Sequence, residues 1–252
     1  RAGSSIFGDE WSGLKYFNQF MKDQNFWRAF KNTLLLNFKY LIISFPLTLI
    51  FALLLNEVKN VHFKKIVQTI SYLPHFISMV IVAGMVREIL STSGPINNLI
   101  TKLGGEAVTF ISLPEWFTTI FVTTGVWQGL GWGTILYLAA MSGINTELYE
   151  AAELDGANKW QIFWNVTLPQ LKPTTFFVII MLTIASFKVY DQMYMITQGG
   201  PGNATMTLVY YIYNVAFVNT PKYGYASAVS MVLFVLVLFV TIIQFKGSSN
   251  ND

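Results

Sequence analysis

The chain has 252 residues, of which 53% are hydrophobic, 16% aromatic and 12% charged, with a net charge of +3 and a mean hydropathy of +0.48. A soluble domain carries about 25% charged residues, so the composition excludes an ordinary soluble protein and points to a membrane protein. The absence of cysteine excludes disulfides, thiolate metal sites and cysteine nucleophiles, and the dispersed Lys and Arg residues leave no concentrated basic face for nucleic acid.

The chain starts at Arg1 with no signal-peptide pattern and is read as a fragment or a processed chain. Residues 1–31 form a first segment, aromatic and amphipathic from residue 10, with Trp11 and Trp27 suited to headgroup depth. It fits either an element lying at the outer interface or a strut docked on the bundle.

A bilayer core of about 30 Å needs about 20 apolar helical residues, and five segments reach that length. They are 33–56, with Lys39 and Pro46; 67–90, with Pro74 and ending at Arg87 and Glu88; 117–141; 174–197, with Lys188 and Asp191; and 223–245. Neighbouring helices are expected to satisfy the backbone groups that the two prolines free. Residues 32–245 thus form a transmembrane domain, followed by a polar tail, 246–252.

Lysine placement sets the orientation. Lys59, Lys64 and Lys65 lie in loop 57–66, Lys159 and Lys172 in loop 142–173, and Lys246 after the last span, against Lys102 and Lys222 in the other two loops. That puts 57–66, 142–173 and the tail inside. The first segment is then outside although it carries Arg1, Lys15, Lys22, Arg28 and Lys31. An odd span count with a basic outer start predicts that a preceding helix is missing from this chain.

Loop 142–173 is the most informative stretch. Thr146 suits a helix N-cap, Glu147 the first turn, and Gly156 a helix C-terminus. A second helical stretch begins at Trp160, Ile162, Phe163 and Val166 and meets Pro169. The first is an exposed amphipathic helix with small residues at its centre, suited to a partner's groove.

Glu150-Ala151-Ala152, then Gly156, Val166 and Leu168-Pro169, resembles the E-A-A-x3-G-x9-I-x-L-P loop of ABC importer permeases, with Val166 for Ile the one departure. The segments 191–201 (D-Q-M-Y-M-I-T-Q-G-G-P) with Thr205, 71–78 (S-Y-L-P-H-F-I-S) and I-F-G-D-E-W-S-G-L-K-Y-F near the start are similar to MalF-type sugar permeases, those for oligosaccharides and polysaccharide fragments. The resemblance implies an all-α polytopic helix bundle of the ABC importer permease type, five spans here with the family's first one absent. It further implies a multi-pass subunit of a bacterial cell membrane that forms half of a sugar pathway. Its partners would be a second homologous permease, two ATPase subunits and an external solute-binding protein. Glu150, Ala151, Ala152, Asp155 and Gly156 would make the coupling contact with the ATPase. No G-x4-G-K-[S/T] loop occurs, so ATP chemistry belongs to a partner and no cofactor is expected in this chain.

Within the spans, aromatic, amide and carboxylate groups suited to a sugar are Asn37, Tyr40, Trp127, Gln128, Trp132, Tyr137, Tyr190, Asp191 and Tyr194, of which Trp127, Gln128 and Asp191 are the preferred pathway residues. Lys188 and Asp191, three apart, can either line the pathway or pair as a structural lock. His62 and His75 are assigned structural or interfacial roles rather than metal ligation. An importer for amino acids or phosphate would share the loop but not the 191–201 segment. A membrane enzyme would need clustered catalytic groups that the sequence lacks, and a self-contained channel would leave the loop helix unexplained.

Overall fold

The computed structural model describes residues 12–218 and 220–249, and among them every regular element is helical. Trp11 and the rest of residues 6–11 of the 6–17 motif lie outside the described residues, as do 250–252 of the tail. Helix α1 (Lys15–Met21) turns at Asp23 into α2 (Gln24–Glu57). The Asp23 carboxylate accepts from the Asn25 N–H at 2.8 Å, an N-cap that starts α2 a full two turns before the expected span. Residues 24–31 are therefore part of a helix of 34 residues and not of a separate outer segment. Phe20 and Phe26, each 2% exposed, pack in the main core beside Tyr225, so the segment is a strut docked on the bundle.

Two expected spans are broken. In place of a continuous 67–90 helix, α3 (Val61–Tyr72) tightens into a 3₁₀ turn at Leu73–Phe76, and α4 (Met79–Ile89) leaves at 100°. Pro74 has no N–H to continue the helix, and the chain is extended at Ile77 and Ser78. Pro46, by contrast, lies inside an uninterrupted α2. The 174–197 segment ends early as well: α10 (Lys172–Phe187) closes at its C-cap Lys188, and a new helix opens at Asp191. Lys188 and Asp191 do not share a helical face, and among the described residues no ion pair joins them.

The short helix α5 (Pro95–Lys102) holds the connection to α6 (Pro114–Ser142). Buried Asn97 donates to the Ser91 and Val108 carbonyls and accepts from the Val108 N–H. Helix α6 is central. Gly125, Gly129 and Gly133, four apart, present one bare face to α2, where a Cβ would meet Tyr40, Tyr40 again and Thr48. On another face, a Cβ at Gly131 would overlap the Ser71 carbonyl of α3.

Beyond α6 come α7 (Thr146–Leu154), α8 (Lys159–Ile162), a π-helical turn (Phe163–Thr167) and α9 (Leu168–Gln170), which meets α10 at 62°. Then α11 (Asp191–Ile196), α12 (Leu208–Tyr213) with a second π turn, and α13 (Tyr223–Ser249) complete the bundle. Residues 246–249, expected in the tail, extend α13. Its Gln244 side chain donates to Thr183 Oγ1 of α10 at 2.8 Å.

Among the described residues, α2 and α13 are each long and apolar enough to cross a bilayer, and the two bent pairs add two more if each counts as one crossing. Helix α6 has the length, at 29 residues, but its four glycines and five threonines make it less apolar. These residues serve close packing.

At the end of the bundle opposite α7, the α2 side chains clasp the 199–208 segment. Arg28 donates to the Gly202 carbonyl, Asn32 to those of Ala204 and Met206, and Thr33 Oγ1 accepts from the Leu208 N–H. Asp23 accepts from Tyr211 at 2.6 Å and Tyr225 at 3.2 Å. Burial, together with the Asp23 carboxylate beside it, pushes the Tyr211 phenol well above its ordinary range, so it remains a donor at neutral pH.

Two stability outcomes follow from this packing, both read as thermal melting of the detergent-purified protein by size exclusion. Gly131→Ala should destabilise by about 1–3 kcal/mol, the cost of overpacking. Gly84→Ala, inside α4 with nothing within 4 Å, is its control and should melt no lower than wild type, since alanine favours a helix interior over glycine. Asp23→Ala loses a cap worth about 1 kcal/mol and leaves one of the two mutually bonded phenols without an acceptor at about 1–3 kcal/mol. Asp23→Asn, which keeps the cap, should melt higher than Asp23→Ala; equal melting of the two would remove the N-cap from the account.

Candidate functional site

Two regions concentrate polar chemistry and unpartnered surface. The first is the α7 hairpin. Asn145, not Thr146, is the N-cap: its backbone is extended and its side chain accepts from the Glu147 N–H at 3.0 Å, in keeping with the stronger capping of Asn over Thr. The helix ends where the Ala157 N–H reaches the Ala152 carbonyl at 2.9 Å, with Gly156 at φ +76 in the left-handed region. Asn158 and Gln161 then form a reciprocal capping box that starts α8.

No residue of α7 is buried. Glu150, Ala151, Asp155 and Gly156 are exposed and Ala152 is half-buried, so the five residues singled out from the sequence do share one short, protruding element. Leu148, Leu154 (90% exposed), Trp160 and Trp164 add apolar surface around it. A hydrogen bond of 3.3 Å between the Tyr149 and Thr167 hydroxyls ties α7 to the π turn, and through α9 to the foot of α10. The π turn lies just before Pro169, where the chain has no N–H to offer a regular helix.

The second region is a cavity of about 250 Å³ between α2, α4, α6, α10 and α11. Its polar lining is Tyr40, His75, Gln128, Ser186 and Gln192. Gln128 donates to the Ile77 carbonyl at 2.9 Å, satisfying a group freed by the break between α3 and α4. Gln192 likewise donates to the Phe121 carbonyl at 2.9 Å. His75 stacks on Trp132, rings 4.5 Å apart and 4° from parallel. The cavity can offer a polar solute hydroxyl, amide and imidazole groups against an aromatic wall.

Of the three preferred pathway residues, only Gln128 lines this cavity. Trp127, its neighbour in sequence, points into a separate apolar groove with Ile43 and Leu47. Asp191 is exposed at the start of α11, one residue before Gln192. Tyr40 belongs to the cavity, whereas Asn37 and Tyr137 are buried in helix packing. His75, Ser186 and Gln192 were missed. His75 carried a usable signal, an ionisable group beside a proline within an apolar run. The approach of Gln192 to Phe121, 71 positions away, left none. Among the described residues, no group of three or more His, Asp or Glu is placed to hold a metal ion.

With this geometry, comparison with known proteins becomes specific. Residues 26–246 match the family model described as binding-protein-dependent transport system inner membrane component. The chain is 36% identical over 228 residues to the polygalacturonan/rhamnogalacturonan transport system permease protein YteP of Bacillus subtilis (strain 168), covering 90% of this chain and 71% of that protein. It superposes with a TM-score of 0.89 on a chain of a bacterial ABC transporter involved in import of the acidic polysaccharide alginate, at 35% identity over 97% of this chain and 86% of the other. For the alginate transporter in complex with its pentasaccharide-bound periplasmic protein the TM-score is 0.85, at 35% identity, over 92% and 81% of the two chains. The overall helical architecture is thus shared with that transporter chain, and this chain is a member of the family of binding-protein-dependent transport system inner membrane components.

Proposed function

We propose that this subunit forms half of the membrane pathway of an ATP-driven oligosaccharide importer and receives ATP-driven movement through α7. The observation that carries the coupling role is a nine-residue helix with no buried residue, tied by Tyr149 and Thr167 to the base of a membrane helix. A helix with no fully buried residue, touching the rest of its chain chiefly at the π turn and edged by exposed Leu148 and Leu154, suits an apolar groove on a partner. The partners are two ATPase subunits at this end, a second homologous permease alongside, and an external binding protein at the other. Lysines 59, 64, 65, 159, 172 and 246 support an orientation with the α7 end on the cytoplasmic side of the membrane.

A saccharide is the substrate class that both the named relatives and the cavity support. YteP is named for polygalacturonan and rhamnogalacturonan, and the superposed transporter for alginate. A lining of amide, hydroxyl and imidazole groups beside aromatic rings suits a ring bearing many hydroxyls. Glu150, Ala151, Ala152, Asp155 and Gly156 make the ATPase contact, and Gln128 and Tyr40 are the sequence-derived residues that line the cavity.

Coupling is tested at Ala151, whose side chain is exposed. Ala151→Trp should leave the complex assembled while transport falls at least about tenfold, the loss of roughly 1.4 kcal/mol of docking free energy. At Gly156 the left-handed backbone is a separate constraint, so Gly156→Asn should transport better than Gly156→Leu. Wild-type transport by Ala151→Trp would overturn the docking role.

The pathway is tested at Gly129, where a Cβ meets only the Tyr40 hydroxyl, at 3.4 Å. Gly129→Leu should occlude the cavity and abolish uptake in an assembled complex, with Gly129→Ala retaining most of it. Uptake undiminished by the leucine would move the pathway elsewhere.

A further inference from the structure

Between α10 and α11 the chain leaves helical geometry, and the residues there divide between two surroundings. Val189 and Gln192 line the cavity. Tyr190 and Tyr194 turn instead into a cluster of four tyrosines. The Tyr190 ring lies 5.4 Å from Tyr194 and 18° from parallel, 6.2 Å from Tyr210, and 4.7 Å from Tyr213. The base of the cluster is fixed: Tyr210 is 6% exposed and donates to the Gln198 carbonyl at 2.9 Å, and the Tyr190 ring packs against Tyr213. Tyr194 differs. Its ring is half-buried and its hydroxyl has no hydrogen-bond partner among the described residues. Asp191, exposed and unpaired, stands one turn before it on the same face of α11.

We propose that Tyr194, held by stacking on Tyr190 and flanked by Asp191, is a saccharide-binding subsite next to the cavity, taking one sugar ring before it moves inward. The proposal rests on the oligosaccharide reading above and adds a residue-level entry site to it. A pyranose carries weakly positive C–H groups on its faces and hydroxyls on its rim. The negative π-face of a rigid tyrosine meets the first, and a carboxylate, an acceptor with two oxygens, meets the second. A ring already packed against neighbours loses little conformational entropy on binding. Aromatic residues anchoring a bilayer interface need only depth; these rings are stacked on one another beside a free carboxylate.

The test uses the complete complex in lipid nanodiscs with its binding protein. Pentagalacturonate, alginate pentasaccharide and maltopentaose serve as probes, and transport-coupled ATP hydrolysis is measured against probe concentration. With whichever probe activates the wild type, Tyr194→Leu should raise the half-saturating concentration about three- to tenfold, while Tyr194→Phe and Tyr194→Trp stay near wild type. Equal response of the leucine variant and the wild type overturns the subsite and leaves the saccharide reading standing. Equal loss in the leucine and phenylalanine variants overturns stacking as its basis. Activation of the wild type by none of the probes, against activation by an amino acid or phosphate, overturns both. If Tyr194→Leu fails to assemble, Asp191→Asn carries the test, since it lies outside the packed rings: an unchanged half-saturating concentration overturns the proposal, and a several-fold rise supports it.

Discussion

The close contact between α2 and the glycine face of α6 sets the position of almost everything else. Gly125, Gly129 and Gly133 lie one above another because residues four apart share a helical face. In a membrane, helices gain little from the hydrophobic effect against lipid, so close backbone approach at small residues carries much of the association. The same approach leaves Tyr40 projecting over the bare face, where it becomes a wall of the cavity. Gly131 does the equivalent for α3, and it brings the bend at 77–78 within reach of the Gln128 amide. One helix thus orders two neighbours on two faces and lines the space between them.

Breaks in the helices are satisfied rather than left open. The carbonyl of Ile77 accepts from Gln128, and the 199–208 segment is held by Arg28, Asn32 and Thr33 of α2. Non-helical backbone in a membrane protein persists where protein groups replace water. The 191–205 segment, read from the sequence as a mark of sugar permeases, therefore has a structural function too. Its Thr205 is 1% exposed and bonds both Thr197 and the Gly200 carbonyl.

The α7 hairpin inverts that logic. Its caps and terminal glycine stabilise a helix with no fully buried residue, so its geometry is set largely locally and much of its apolar surface remains available. The Tyr149–Thr167 bond and the π turn are its connection to α10. In the proposed coupling role, force applied at Ala151 or Ala152 would reach a membrane helix through the Tyr149–Thr167 contact and one bend of 62°.

Local order and local chemistry were legible in the sequence. Apolar runs of membrane length located α2, α6 and α13, and the Glu150–Gly156 pattern located the protruding helix, because each depends on neighbours within a few turns. Asn145 as cap rather than Thr146 was a misreading of the same local kind. What tertiary structure alone decided were the breaks and the site. Hydropathy is the same for a straight span and a bent one, so 67–90 read as continuous although Pro74 and a distant Gln128 amide make the bend tolerable. Lys188 and Asp191 read as partners only while one helix was assumed to hold both. Trp127 and Gln128 could not be told apart by composition, yet 100° of helical rotation sends one to an apolar groove and the other to the cavity. Sequence encodes periodicity and caps over short distances, whereas a cavity is formed by residues far apart in the chain, and the glycine contacts that bring them together act only once the helices meet.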